Sequence, residues 1–336
     1  MTLKICHVGC GTLSSRYYGP SYATYLELHE ETELVACCDL NENLAKLFSA
    51  MLGFKRYHTR LDEMLKIECP DVVVIVVPED KIAPIATRIM DAGFPVIMEK
   101  PPGITLPEFR KLHEKAKQND IPNQVNFNRR FTPILQKLRS ILSIKVDNDD
   151  NIDYLRYDFW RVQRRERDFY TTAIHGIDAV RYILNTDYEN SNLTYQAVSE
   201  LGDEIYNIFI DATMKSGTQV HLNFIVNSGI MVERALVQLG NETVFCNIPV
   251  WGSIDTPGSI IIYKNGKQIQ EIKGDSLLQG IDEPEEPHFM GFYEELRSGF
   301  EAIRANQPTL CDLGKCKQSM EIAEAIRERK NNLMFD

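Results

Sequence analysis

Leu3-Lys4-Ile5-Cys6-His7-Val8-Gly9-Cys10-Gly11-Thr12-Leu13-Ser14 is the stretch on which the fold turns. A short apolar run leads directly into a Gly-x-Gly pair, which follows the dinucleotide fingerprint at its first two glycines and places serine at the third. Gly9 permits a tight turn, and Gly11 lets the backbone approach a pyrophosphate whose charge meets amide donors at a helix start. Thr12 and Leu13 belong to the same anion-facing loop. Ser14 in the third position costs only slightly closer packing. Glycine pairs after strands also serve as plain turns, so the residues further along have to decide.

Working outward, Leu3 to Phe127 repeats short β-branched runs followed by amphipathic segments, the pattern of a parallel, helix-covered sheet. Strands are expected at Leu3 to Val8, Leu34 to Cys38, Val72 to Val77, Val96 to Met98 and Gln124 to Phe127. The valine-rich run at 72–77 is apolar on both faces and belongs at the sheet centre. Helices are expected at Asn41 to Leu52, Ile82 to Ala92 and Leu106 to Gln118, with Gly53 and Gly93 as left-handed stops. Gly19-Pro20 interrupts the first helix, because proline lacks the amide hydrogen, so that helix is expected to be short or to restart at Pro20.

Asp39 closes the second strand, where a carboxylate can accept both ribose hydroxyls of NAD and would repel a 2'-phosphate. Leu40 and Asn41 bring no cation to neutralise such a phosphate, which favours NAD over NADP. Asp39 could alternatively cap the following helix.

After Phe131 the alternation gives way to longer alternating segments, at Leu155 to Trp160, Leu193 to Leu201, Ile205 to Met214, Gln219 to Val226 and Ala235 to Leu239. These read as a largely antiparallel sheet with one polar face. Helices are expected at Thr172 to Leu184, Pro287 to Ala305 and Leu313 to Asn331, the second preceded by an acidic loop at Asp282 to Pro287. A chain of 336 residues is long enough for two cores. The expected organisation is an α/β Rossmann domain with a doubly wound parallel sheet over 1–123, and an α+β domain with a large, mostly antiparallel open sheet over 124–336.

Composition narrows the classes of partner. A net charge of -11 argues against nucleic acid, whose binders display a basic field. No apolar run approaches a membrane span, and Met1 to Val8 forms a strand pattern instead of a leader, so a cytoplasmic protein without a membrane partner is expected. The eight cysteines lack structural-zinc spacing, so reduced, mostly buried thiols and no metal site are expected.

Together with the fingerprint and Asp39, Glu99-Lys100-Pro101 after the fifth strand resembles the glucose-fructose oxidoreductase and inositol dehydrogenase family, often called Gfo/Idh/MocA. The likeness spans nearly the whole chain and includes Asn126-Phe127-Asn128-Arg129-Arg130-Phe131 and the helical His175-Gly176-Ile177-Asp178. The resemblance implies that Lys100 reaches the nicotinamide and the reacting hydroxyl, that Glu99 contacts the cofactor ribose, and that Pro101 shapes the turn. It also points to Pro78 and Asn128 on the cofactor side, to His175 as a catalytic or substrate-orienting residue, and to Arg129, Trp160, Thr171 and Asp178 on the substrate side. A partly desolvated lysine can relay a hydroxyl proton, and a histidine exchanges protons near neutral pH. A hydrogen-bonded core histidine is the plainer account of His175 taken alone.

The chain departs from that family at Thr171, where many members carry aspartate, and at Glu79 and Ile82, which replace the familiar asparagine and histidine after Pro78. If the chemistry is alcohol oxidation, Lys100 and His175 must then manage the proton between them, with Tyr170 or a water as a further carrier. Trp160 to Arg167 carries four arginines in seven positions; Arg164 among them could grip an anionic sugar, or the loop could be solvated with internal Glu166 pairing. The expected activity is NAD-dependent hydride transfer to or from a hydroxyl of a sugar, polyol or sugar derivative. Two other readings stay open: a redox-neutral enzyme with retained NAD, performing elimination or glycoside cleavage, and a non-catalytic NAD-binding regulatory protein. A homodimer or homotetramer burying one sheet face is expected.

Overall fold

The computed structural model describes residues 2–147 and 151–335. The described chain separates into two compact units. One runs through Phe127 and takes in Phe292–Met320; the other comprises Asn128–Gly291 and the residues from Glu321 onward.

The first unit is built on six parallel strands, β1 (Leu3–Val8), β2 (Thr32–Cys38), β3 (Arg56–His58), β4 (Val72–Ile75), β5 (Val96–Glu99) and β6 (Asn123–Asn126), in the order β3-β2-β1-β4-β5-β6. This is the doubly wound order whose direction switches between β1 and β4. Every side chain of β4 and β5 is buried, as the uninterrupted valine run requires of a central parallel strand. β4 stops two residues earlier than its apolar run because Val77 leads into Pro78, which is the N-cap of a helix. The helices are α1 (Gly19–Leu28), α2 (Glu42–Leu52), α3 (Leu61–Glu68), α4 (Glu79–Asp91) and α5 (Leu106–Gln118). Asn41 caps α2 by accepting from the amides of Asn43 and Leu44, and Gly53 ends it at φ 79°.

The Gly19-Pro20 interruption is accommodated by a change of helix type. Residues Ser14–Tyr18 form a π-helical turn in which Gly19 N–H donates to the Ser14 carbonyl, and α1 restarts with Pro20 in its first turn, where a missing amide hydrogen costs nothing.

The second unit holds α6 (Pro133–Asp147), α7 (Tyr170–Leu184) and nine strands: β7 (Ile152–Trp160), β8 (Tyr188–Ala197), β9 (Tyr206–Met214), β10 (Gln219–Ile225), β11 (Val232–Leu239), β12 (Glu242–Ile248), β13 (Ser259–Lys264), β14 (Lys267–Lys273) and β15 (Asn332–Met334). Their order is β14-β13-β12-β11-β7-β10-β9-β8-β15, antiparallel except for the β7/β10 pair. Leu155, Tyr157 and Phe159 of β7 are fully buried in one core with Ala173 and Ile177 of α7 and with Ile134 and Leu138 of α6. Gly176 lets α7 lie close on the sheet: a Cβ there would come 2.9 Å from the Phe224 ring. On the other face, Arg156, Asp158 and Trp160 line a groove of about 570 Å³ with Arg234, Phe245 and Asn247.

The expected helix over Pro287 to Ala305 is split. Glu286–Phe289 forms a single turn, Gly291 takes φ 86° with its missing Cβ 2.6 Å from the Asn128 carbonyl, and a new helix runs over Phe292–Arg304. The expected Leu313 to Asn331 helix becomes a 3-10 turn at Leu313–Cys316, a helix at Lys317–Arg327, and then β15.

Candidate active site

Gly9, Asp39 and Lys100 follow β1, β2 and β5 respectively, so the parallel sheet brings all three to its carboxyl edge, Gly9 at the switch point and the other two one strand away on either side. The Gly9 turn is built to tight tolerance. Gly9 has φ 96°, its amide donates to the Cys38 carbonyl at 2.8 Å, and a Cβ would lie 2.0 Å from the Val76 carbonyl oxygen. Nothing lies within 4 Å of a Cβ on Gly11, and the chain turns helical at Thr12. Thr12 and Leu13 are exposed. The loop therefore offers open space in front of first-turn amides, which fits a pyrophosphate.

Ser14 does more than fill the third fingerprint position. Its hydroxyl donates to the Gly9 carbonyl at 2.6 Å, and the same carbonyl lies 2.8 Å from Nε2 of the buried His7, whose Nδ1 is 2.9 Å from the Tyr22 hydroxyl. Burial brings the His7 imidazole down to about 4, so it is neutral and serves as a fixed brace beneath the loop. Sequence reasoning missed this role; a histidine inside an apolar strand, seven residues before a serine, was the available signal.

Asp39 is not the cap of α2. Its Oδ2 accepts from Cys10 N–H and its Oδ1 from Asn41 N–H, both at 2.8 Å. That uses two of the roughly four acceptor positions of a carboxylate and leaves capacity for ribose hydroxyls. Pro78 caps α4, and Ile82 is buried in that helix's inward face, so Ile82 is a packing residue of the first unit.

Glu99 is nearly buried at the end of β5, with Oε1 accepting from the Tyr18 hydroxyl at 2.6 Å and Oε2 from Lys100 N–H at 3.2 Å. Lys100 is half-buried beside it, and the Lys100–Pro101 peptide is cis.

In the second unit, several residues expected at the site are committed to buried ion pairs. Asp178 is fully buried and holds the Arg130 guanidinium through two bonds of 2.6 and 2.7 Å, tying α7 to the turn at Asn128–Phe131. The Asp178 carboxylate, expected on the substrate side, is thus paired with a guanidinium inside the second unit. Arg129 likewise donates to Glu233 at 2.5 and 3.1 Å and to Asn128 Oδ1 at 2.8 Å, while Asn128 Nδ2 donates to the Met290 carbonyl at 3.1 Å. Arg161 donates to Glu233 as well, lies 3.6 Å over the Phe159 ring, and so leaves the arginine-rich loop's exposed set. Desolvation pushes Glu233 up, but the two guanidiniums outweigh it and bring the carboxyl down to about 2.

Trp160 lines the groove on the sheet face opposite α7, so the fold does not bring it to His175. Arg164 pairs with Glu166 at 2.9 Å, which is the internal pairing weighed above. Thr171 sits in the first turn of α7, its hydroxyl donating to the Asp168 carbonyl at 3.0 Å. His175 is half-buried one turn further on.

The comparisons with known proteins agree with this architecture. Residues 3–127 match the GFO_IDH_MocA family, described as an oxidoreductase family with an NAD-binding Rossmann fold. The chain is 23% identical to the uncharacterized oxidoreductase YrbE of Bacillus subtilis over 77% of its own length and 75% of that protein. It is 26% identical to inositol 2-dehydrogenase of Salmonella typhimurium over 60% of each chain. A dehydrogenase structure from Chromobacterium violaceum superposes with a TM-score of 0.83 at 19% identity, covering 98% of this chain and 95% of that one. With the Gly9 and Gly11 turn, Asp39 and the Glu99-Lys100-Pro101 turn in place, residues 3–127 carry the NAD-binding Rossmann fold of the Gfo/Idh/MocA oxidoreductase family.

Proposed function

We propose that this protein is an NAD-dependent dehydrogenase acting on a hydroxyl of a sugar, polyol or sugar derivative. The observation that carries the reading is the convergence of Gly9, Asp39 and Lys100 on one carboxyl edge of a single parallel sheet. NAD, when bound, supplies a hydride acceptor at nicotinamide C4. The Gly9 to Leu13 loop would hold the pyrophosphate and Asp39 the adenosine ribose, with Glu99 at the second ribose. Lys100 would take the hydroxyl proton as the carbinol carbon loses hydride. His175 would carry that proton onward; Thr171 has no carboxylate, and its hydroxyl donates to the Asp168 carbonyl. The polyol or sugar class draws its support from the inositol dehydrogenase relative.

Cofactor choice is tested by fluorescence titration. NADH should bind at least about tenfold more tightly than NADPH, a difference of about 1.4 kcal/mol, and Asp39→Ala should shrink the gap. Equal affinities for the two would refute the choice of NAD, and binding of neither would refute the site.

The outer sheet face is read as the contact surface for a second copy of the chain. It is mixed in charge, with Arg156 and Arg234 beside Asp158, it exposes Phe245, and the buried Trp160 Nε1 finds no hydrogen-bond partner among the described residues. Light scattering should report a dimer or tetramer that Phe245→Glu weakens; a monomeric wild-type protein would rule this out.

A further inference from the structure

Behind Glu99 lies a buried polar cluster that the proposed reaction does not use. The π-helical turn ends at Tyr18, whose ring packs edge-on against Phe292 with centroids 5.8 Å apart. The Tyr18 hydroxyl oxygen is 2.6 Å from Glu99 Oε1, 3.1 Å from Glu295 Oε1 and 2.9 Å from Asn126 Nδ2. Gln124 Nε2 donates to Asn126 Oδ1 at 3.0 Å and to the Glu295 carbonyl at 2.7 Å, which orients the Asn126 amide with its N–H toward the phenol. Glu99 is 8% exposed, and Glu295 and Tyr18 are fully buried.

A phenol has one proton to give. The shorter contact assigns it to Glu99, and Asn126 donates to one lone pair of the phenol oxygen. The Glu295 contact is then a hydrogen bond only if Glu295 is the donor, through a carboxyl O–H. Two ionised carboxylates converging on one buried hydroxyl would repel each other and lose hydration as well. Burial, and after it the Glu295 and Glu99 carboxyl groups, push the Tyr18 phenol well above its ordinary range, so it remains a donor.

We infer that Glu295 is a protonated glutamic acid that acts through Tyr18 to hold Glu99 in the orientation from which it meets the cofactor ribose. Glu295 is thus a positioning residue, and the inference rests on the ribose role proposed for Glu99. The geometry explains why a glutamate one helical turn into Phe292–Arg304 faces the interior of the first unit, and why tyrosine stands at the end of the π turn.

Two readouts test it on the full-length protein. In infrared spectra at neutral pH, a protonated-carboxyl C=O band should be present in the wild type and missing from Glu295→Gln. In NADH titrations, Glu295→Ala and the volume-conserving Tyr18→Phe should each weaken binding about tenfold, the loss expected when a hydrogen bond to a charged group is removed. Glu295→Gln should bind within about twofold of wild type, because its amide can donate to the phenol oxygen without adding charge. If the infrared band is unchanged in Glu295→Gln, or if Gln is as damaging as Ala, the inference is overturned. Should Glu99→Gln weaken NADH while Glu295→Ala and Tyr18→Phe do not, the positioning role falls and the ribose contact stands. Should Glu99→Gln bind NADH like wild type, the ribose contact falls and takes the positioning role with it.

Discussion

Lys100→Met should lower turnover by about 10²- to 10⁴-fold, the usual contribution of a positioned acid or base, while NADH affinity stays within a few-fold of wild type. Methionine preserves the length and apolar stem of the side chain, and the Lys100 backbone amide still donates to Glu99, so the local turn should survive. What disappears is the ammonium group at the end of β5. Lys100 is half-buried at the sheet edge, and its amine, when neutral, would accept the hydroxyl proton. Single-turnover kinetics beside an NADH titration check the split. A turnover loss below about threefold, or a parallel loss of cofactor affinity, would make Lys100 a structural residue of the loop.

The second large effect concerns stability. Glu233→Gln should destabilise the protein by about 3–5 kcal/mol, because it leaves two buried guanidiniums without their carboxylate. Arg129 and Arg161 both converge on Glu233, and the Tyr157 hydroxyl donates to it at 2.9 Å. The native carboxyl is held down at about 2 against desolvation, whereas an unfolded glutamate titrates near about 4.3. The unfolded chain therefore binds more protons between those values. The contribution of Glu233 is complete above the unfolded value and is lost as the pH falls through about 2. Urea unfolding of wild type and variant should show a gap that is full at neutral pH and closes in that acid window. A loss under about 1 kcal/mol at pH 7 would mean that the cluster relaxes onto water.

How far the sequence alone reached follows from the range of each signal. Residues 3–14, the valine run at 72–75 and the stops at Gly53 and Gly93 are local patterns, and the structure places them as their periodicity requires. β3 has three residues and no apolar alternation, so nothing local marks it. The break at Gly291 was hidden because its cause is the Asn128 carbonyl, more than 160 residues away in the chain. The same holds for the site. Gly9, Asp39 and Lys100 could be found by their position after strands, but the commitment of Asp178 to Arg130 and of Arg129 to Glu233 depends on long-range pairing. One clue was legible: Glu233 shares the inward parity of Ala235, Val237 and Leu239, and a carboxylate in that register demands a buried partner. Tyr18 and Glu295 carried no motif, and they emerge only because the π turn and the helix Phe292–Arg304 meet at Glu99.

The most direct test of the central claim is absorbance at 340 nm with purified protein, NAD or NADP, and a panel of sugars, polyols, sugar acids and nucleotide sugars. The account predicts NADH formation from NAD with at least one hydroxyl-rich substrate and its abolition in Lys100→Met. No reduction with any member of the panel, in a protein that still binds NADH, would contradict it and turn the assignment toward a retained-cofactor or non-catalytic role.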